Sequence, residues 1–260
     1  MAKTYNPAHA DISPAARLAA LGAGEAVDLG EYRVIRATHQ DRPVFFAVRN
    51  AMDAIQKHHI EGAFYETEEL DIIRRHFAPG ETFIDLGANV GNHALYVAMY
   101  LEPAKVLCVE PNSLAYENLL ANIVLNGVEE TFDLSWLGFG VSCNVGDGFG
   151  ITHWVHNLGG GKLIPRDGGT ISLRSGDDIL ADTKADFIKI DVEGMEMDVL
   201  TSLENTVARD RPKIFVEVDN ENRDAVLAWV DTHGYTTHET FKRYRDNENF
   251  LFVPESESET

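Results

Sequence analysis

The stretch Thr82-Phe-Ile-Asp-Leu-Gly-Ala-Asn-Val-Gly-Asn-His93 constrains this chain more than any other. Its apolar β-formers and paired glycines predict a buried strand that turns sharply into a helix, with Asp85 and Asn89 beside the turn. Glycines there let backbone N–H groups approach a ligand, and a helix N-terminus favours a carboxylate or phosphate. A second strand, Lys105 to Val109, ends in Glu110, about twenty residues beyond Gly91. An acidic side chain at that distance can take the two hydroxyls of a ribose. Together these features predict a pocket for an adenosine cofactor.

The glycine spacing restricts which cofactor. Gly87-Ala-Asn-Val-Gly91 lacks the Gly-x-Gly-x-x-Gly triplet of dinucleotide sites, and no Gly-Lys-Ser/Thr ending marks a nucleotide-phosphate loop. A nicotinamide oxidoreductase is therefore the weakest of the enzyme readings.

Strand and helix patterns alternate downstream. A helix runs from Asn92 to about Tyr100, and another, capped near Asn112, presents Tyr116, Leu119, Leu120 and Ile123 and ends at Gly127. A third strand lies within Phe132–Val141. The rhythm resumes with strand Asp186–Asp191, a helix through Val199, Leu200 and Leu203, strand Pro212–Val218 and a helix ending at Gly234. Tyr235–Arg245 and Phe250–Val253 then read as a closing antiparallel hairpin. This alternation predicts a parallel, doubly wound sheet. Residues 142–184 break the pattern with repeated glycines, and such a long loop-rich insertion reads as functional, with a surface loop or extra hairpin as the alternative.

Upstream, Ser13-Pro14 predicts a short helix closed by Gly22, and residues 31–50 a hairpin turning at Gln40-Asp-Arg-Pro43. Thr67 is the expected cap of a helix with Leu70, Ile73 and Phe77 on its apolar face. The expected organisation is an N-terminal extension over residues 1–65 that could cap the pocket, a main domain over 66–254, and an acidic disordered tail over 255–260.

The chain has 260 residues, 42 acidic against 22 basic, and a net charge of −20. That charge disfavours nucleic acid as a partner, since phosphates need a basic surface. No apolar run reaches the roughly 18–20 residues needed to span a bilayer, and the first residues lack the apolar core of a secretory signal. The expected location is the cytoplasm, with no membrane insertion. The two cysteines, Cys108 in an apolar strand and Cys143 in a loop, have neither zinc nor disulfide spacing. His58 and His59 are adjacent and cannot share a helix face, so no metal centre is assigned.

Lys189-Ile-Asp-Val-Glu-Gly194 loads charge into and just past a buried strand, which is costly unless the strand's carboxyl end opens on a site. Asp191, Glu193 and Glu217 are thereby expected beside the reacting centre. Lys189 reads equally as a buried partner of Asp191 or Glu217, and Glu193 as a first-turn residue that favours the helix dipole. The ranked proton acceptors are Asp191, then His153 or His156 flanking Trp154, then Glu217. A divalent ion on Asp191 and Glu217 is a minor alternative, and His93 stands close enough to the turn to touch cofactor or substrate.

Ile84-Asp-Leu-Gly-Ala-Asn-Val-Gly91, Glu110-Pro-Asn112, Asn157-Leu-Gly-Gly160 and Phe187-Ile-Lys-Ile-Asp-Val-Glu-Gly194, with Pro212 and Val216-Glu217, resemble the FkbM family of methyltransferases from about Tyr65 to about Pro254. The resemblance implies an α/β class I methyltransferase (Rossmann-like) fold. Its seven-stranded, mostly parallel sheet runs in the order 3-2-1-4-5-7-6 with an antiparallel C-terminal hairpin, here preceded by the N-terminal helix and hairpin. It implies transfer of a methyl group from S-adenosylmethionine to a hydroxyl on a sugar, polyketide or other secondary metabolite. Gly87, Ala88, Asn89 and Gly91 would face the methionine part, Asp85 would support that turn or accept from the amino group, and Asn92 would reach the ribose or the methionine carboxylate. Glu110, followed by Pro111, would take the ribose. Ser142 falls where adenine would lie, although the family usually has an acidic residue there. Tyr65-Glu66 matches a family dipeptide, which adds Glu66 to the cofactor contacts, as strand-end placement adds Asp191. The expected partner is a small-molecule or glycan acceptor, with oligomerisation left open. N- or C-methylation on the same scaffold, or a non-catalytic cofactor-binding protein, are the remaining alternatives.

Overall fold

A computed structural model of the chain describes residues 32–152 and 158–255. They begin with a hairpin, β1 (Arg33–His39) and β2 (Arg42–Val48), paired from Arg33 opposite Val48 to His39 opposite Arg42. Gln40 and Asp41 make its turn with φ of 47° and 61°, the left-handed pair that suits the twist of a tight hairpin. Helix α1 (Ala54–Ile60) follows, capped by Asp53, whose carboxylate accepts from the Gln56 N–H. The sequence patterns had not indicated this helix. The Ser13-Pro14 helix and the end of the tail, residues 256–260, lie outside the described residues.

Helix α2 (Thr67–His76) is not capped by Thr67. Its N-cap is Glu66, left-handed at φ 56° and without a side-chain cap bond. The alternation then proceeds as β3 (Thr82–Leu86), α3 (Asn92–Tyr100), β4 (Lys105–Glu110), α4 (Ser113–Asn126) and β5 (Phe132–Leu137). The Asn112 side chain caps α4 by accepting from the Leu114 N–H.

The third-strand region divides in two. Gly138, at φ 89°, ends β5, and β6 (Phe139–Val141) leaves for a second sheet. The glycine-rich insertion supplies that sheet with β7 (Gly146–Ile151), β8 (Leu163–Pro165) and β9 (Ile171–Arg174), in the order β6-β9-β7-β8. Glycines let these strands crowd: a Cβ on Gly140 would meet Leu173 at 2.5 Å. After the short helix α5 (Gly176–Ile179) come β10 (Phe187–Ile190), α6 (Glu196–Thr201) and α7 (Glu204–Asp210). The single helix expected here is interrupted at Ser202, whose hydroxyl donates to the Val199 carbonyl and accepts from the Gly176 N–H. Then follow β11 (Lys213–Asp219), α8 (Arg223–Thr232), β12 (Tyr235–Phe241) and β13 (Asn247–Pro254).

The main sheet runs β5-β4-β3-β10-β11-β13-β12, which is the expected 3-2-1-4-5-7-6 order. Its first five strands are parallel, and β13 is antiparallel to both neighbours. Period-two alternation sorts the core. Phe83 and Phe187 face one apolar cluster with Leu95 and Leu119, whereas Ile84, Leu86, Ile188 and Ile190 face the other with Val199, Leu203 and Trp229. Cys108 is fully buried in the first cluster.

The hairpin is joined to this scaffold by an asparagine ladder. Asn118, Asn122 and Asn126, four residues apart on one face of α4, hydrogen-bond the β2 main chain at Ala47 and Phe45. These amides satisfy a strand edge that a neighbouring strand would otherwise have to cover. Val44 and Phe46 of β2 then complete the first cluster. No helix among the described residues is long and apolar enough to cross a membrane.

Candidate active site

The carboxyl ends of β4, β3, β10 and β11 stand side by side, and the turn after β3 is the tightest point among them. Gly87 has a φ of 85°, and a Cβ there would lie 1.9 Å from the Asp191 carbonyl oxygen. Only glycine permits that approach. The Gly87 and Ala88 N–H groups both donate to the Val109 carbonyl, at 2.9 and 3.1 Å, which ties the turn to β4. Glu110 completes the tie. One of its carboxylate oxygens accepts from the Asn89 N–H at 2.8 Å and the other from the Asn112 N–H at 2.7 Å. Burial raises this carboxyl to about 7 against the pull of those two bonds.

Two lobes of one cleft meet here. The apolar lobe is lined by Pro111, Val141, Ile151, Leu158, Leu163 and Met195. The second sheet contributes much of this wall, so the insertion expected to be functional does border the site. Asp53 fastens it by accepting from the Leu158 N–H at 2.9 Å. The polar lobe is a cavity of about 460 Å³ lined by, among others, Glu66, Asn89, His93, Lys189, Glu217 and Asn247. Gly87, Glu110, Asp191 and Glu193 line both lobes.

Lys189 anchors the floor. The register of β10 against β3 sets it beside Asp85. Its ammonium lies 3.2 Å from Asp85 Oδ1, 3.3 Å from Asp191 Oδ2 and 3.2 Å from the Gly87 carbonyl. It donates hydrogen bonds to the Gly87 carbonyl and to Asp191, and meets Asp85 as an ion pair. Burial opposes this charge, but Asp85, Asp191 and Glu66 more than offset that, and the Lys189 pKa is raised. Of the two expected partners, Asp191 pairs with Lys189, whereas Glu217 accepts from the Asn247 amide at 2.6 Å.

The remaining carboxylates repel one another. Burial, then Asp191 and Glu69, push Glu66 up to about 8. Glu193 reaches about 7 through burial and the charges of Asp191 and Asp219. Glu217 rises to about 9 through burial and the charges of Asp191, Glu66 and Glu193. Glu193 is not in a helix first turn, because α6 begins at Glu196; it sits in the preceding loop at φ 50°. Strain of this kind collects at functional sites. The Lys-Ile-Asp-Val-Glu-Gly run marked this residue, yet the later helix start could not be read from it.

Asn92 lines the polar lobe but is engaged elsewhere. Its Oδ1 accepts from the Tyr65 N–H and its Nδ2 donates to the Tyr65 carbonyl, both at 2.9 Å. It therefore positions Tyr65-Glu66. Ser142 is fully buried, its hydroxyl accepts from the Asn144 N–H, and it does not line the cleft; Val141 does. Asp85 lies beneath the floor and Gly91 behind the turn, where a Cβ would meet Leu119 at 2.8 Å. Ala88 and Asn89 line the polar lobe and Pro111 the apolar one. His153 and His156 lie outside the described residues.

These residues fit an adenosine cofactor bearing an amino-acid tail. The apolar lobe suits a flat base, and Glu110 at the junction suits ribose hydroxyls. In the polar lobe Asn89 Oδ1 and His93 Nε2 are buried without hydrogen-bond partners, Nε2 lying 3.6 Å from Glu66 Oε2, and a polar ligand would satisfy them. Among the described residues no group of three or more His, Cys, Asp or Glu is arranged to hold a metal ion.

Residues 85–237 match the family described as Methyltransferase FkbM domain. No curated protein matches the sequence. Among solved structures, the protein PH0793 of Pyrococcus horikoshii is similar at 16% identity and a TM-score of 0.51, over 87% of this chain and 74% of that one. M. jannaschii TYW2 in complex with AdoMet matches at 14% identity and a TM-score of 0.47, over 88% and 90% of the two chains. A methyltransferase FkbM from Methylobacillus flagellatus KT matches at 18% identity and a TM-score of 0.46, over 68% and 44%.

Proposed function

The chain belongs to the FkbM family of methyltransferases and uses S-adenosylmethionine, and on that premise we propose that it methylates a hydroxyl of a small acceptor such as a sugar, polyketide or other secondary metabolite. The observation that carries this reading is that Asp191 and Glu193 line both lobes of the cleft. A methyl donor reaching from the apolar lobe into the polar one would meet an acceptor in the rest of the polar lobe near that junction, and a hydroxyl there needs a base.

S-adenosylmethionine supplies, when bound, an electrophilic methyl group on a sulfonium. The chain's own residues then have two tasks, alignment and proton removal. Glu193 is the proton acceptor in this reading, since a carboxylate near 7 is matched to general-base work at neutral pH. Asp191, its Oδ2 held 3.3 Å from Lys189, orients the hydroxyl. Glu110 keeps both oxygens fixed by backbone donors and retains lone pairs for a diol.

Glu193→Gln tests the assignment. The base must be unprotonated, so native turnover should rise with pH through about 7. The variant should lose about 100-fold or more in kcat, in line with removal of a general base, and lose that acidic limb. Its affinity for S-adenosylhomocysteine should be unchanged. Full turnover with the same pH profile would remove Glu193 from the role. Mass spectrometry of the product's methyl linkage decides between oxygen and nitrogen.

A further inference from the structure

The polar lobe is rich in carboxyl groups, among them Glu66, Asp191, Glu193 and Glu217, and poor in cations. Among the described residues lining it, Lys189 is the only lysine or arginine. Its ammonium is already paired with Asp85 and Asp191 and donates to the Gly87 carbonyl. Nearby Arg243 is bound to Glu68 and Glu69. Glu217 is a strand-end carboxyl facing a cavity, where a charge without a partner is expensive and the proton is retained until a cation arrives.

The wall around Glu217 presents acceptors. Asn247 donates its amide to Glu217 Oε1 at 2.6 Å, which fixes the amide's orientation and leaves Asn247 Oδ1 buried without a partner. Asp246 lines the same side of the cleft. His93, 6% exposed and lining this lobe, adds an Nε2 with no hydrogen-bond partner. Burial and the charge of Lys189 hold its pKa well below the usual value, so the imidazole brings no positive charge. In the strand order, β11 is separated from β3 by β10. Glu217 thus lies about 10 Å across the sheet from the glycine turn, on the side away from Glu110.

Resting on the acceptor reading above, we propose that the methyl acceptor is a small amino alcohol, whose protonated amine is seated by Glu217 and Asn247 with Asp246 at the mouth. An ammonium offers three donors and no acceptor, the complement of that wall. A neutral polyol would leave Glu217 protonated and gain no ion pair, and an anionic acceptor would be repelled by the neighbouring carboxylates. The groups facing Glu217 are Asp191, Glu66 and Glu193, which raise its proton affinity, and Lys189, which lowers it. Before the amine arrives Glu217 holds a proton at neutral pH. The incoming cation favours the ionised carboxylate, so binding should release a proton and tighten as pH rises from about 7 toward 9.

The test is calorimetry on the full chain saturated with S-adenosylhomocysteine, using ligands matched in shape and differing in charge. Glucosamine, glucose and glucuronate form one set; tyramine, 4-methylphenol and 4-hydroxyphenylacetate form the other. In at least one set the amine should bind about tenfold or more tightly than its neutral partner, and the acid should not bind. Heats compared between phosphate and Tris buffers at pH 7 should report release of roughly one proton. Glu217→Gln, which mimics the protonated carboxyl in shape, should keep S-adenosylhomocysteine binding and lose both the preference and the proton release. Equal affinity for amine and neutral partner, or no amine binding at about 10 mM, overturns the proposal. So does a magnesium titration that tightens S-adenosylhomocysteine and excludes the amines, which would mark a metal site. Methylation of a bound amine on nitrogen would defeat the O-methylation reading and leave this one standing. Equal O-methylation of neutral alcohols would do the reverse.

Discussion

Glu110 and Glu217 both stand at the carboxyl end of a strand of the same sheet, yet they are held by different means. Glu110 is gripped by two main-chain N–H groups, those of Asn89 and Asn112, at 2.8 and 2.7 Å. Glu217 takes one side-chain amide, from Asn247, thirty residues further along the chain. The first arrangement is built by backbone of two adjacent strand-turn-helix units, β3 to α3 and β4 to α4, so it is rigid and suits a fixed cofactor. The second is assembled from side chains of β11 and the start of β13, where a change of one side chain should alter what the proposed site recognises. In the function proposed above, one half of the cleft serves an unvarying cofactor and the other suits a particular acceptor.

The largest effect expected from this division falls on the backbone-built half. Gly87→Ala would set a Cβ 1.9 Å from the Asp191 carbonyl oxygen at a φ of 85°. It should drive β10 from β3 and abolish S-adenosylhomocysteine binding, which calorimetry and a lowered melting temperature would report. A Gly87→Ala protein with native affinity would mean the turn has slack, and the contrast with the acceptor half would fail.

Lys189→Ala comes next and touches both halves. It leaves Asp85, fully buried, without its cation. Removing one partner of a buried pair costs about 3–5 kcal/mol, readable as a drop in the denaturation midpoint by urea. A loss under about 1 kcal/mol, the range of exposed pairs, would show that Lys189 is not the anchor of the floor.

The same contrast explains how much could be read from sequence. β3, α3 and β4 were legible nearly to the residue because strand, glycine turn and helix are local patterns, and Glu110 followed from its spacing. Strand order followed from the family resemblance. Elements that depend on distant partners were not legible. Asn118, Asn122 and Asn126 look like polar positions on a helix until β2 is seen to need their amides. The four-residue spacing of identical amides was the available signal. Thr67 has the right chemistry for a cap, but Asn92 clamps the Tyr65 main chain and forces Glu66 into the cap position. The glycines of the insertion read as loop, because close strand packing such as that of Gly140 against Leu173 is a non-local fact. Asn247, which sets the orientation of Glu217, lay in a segment whose residue types indicated only a turn.

The most direct test of two separately built halves is one calorimetric comparison of S-adenosylhomocysteine binding to the native chain, Glu110→Ala and Glu217→Gln. Loss of charge-assisted bonds to two ribose hydroxyls should weaken Glu110→Ala by about 100-fold or more, whereas Glu217→Gln should stay within about threefold of native, well under 1 kcal/mol. Native affinity in Glu110→Ala, or an equal loss in both variants, would contradict the account.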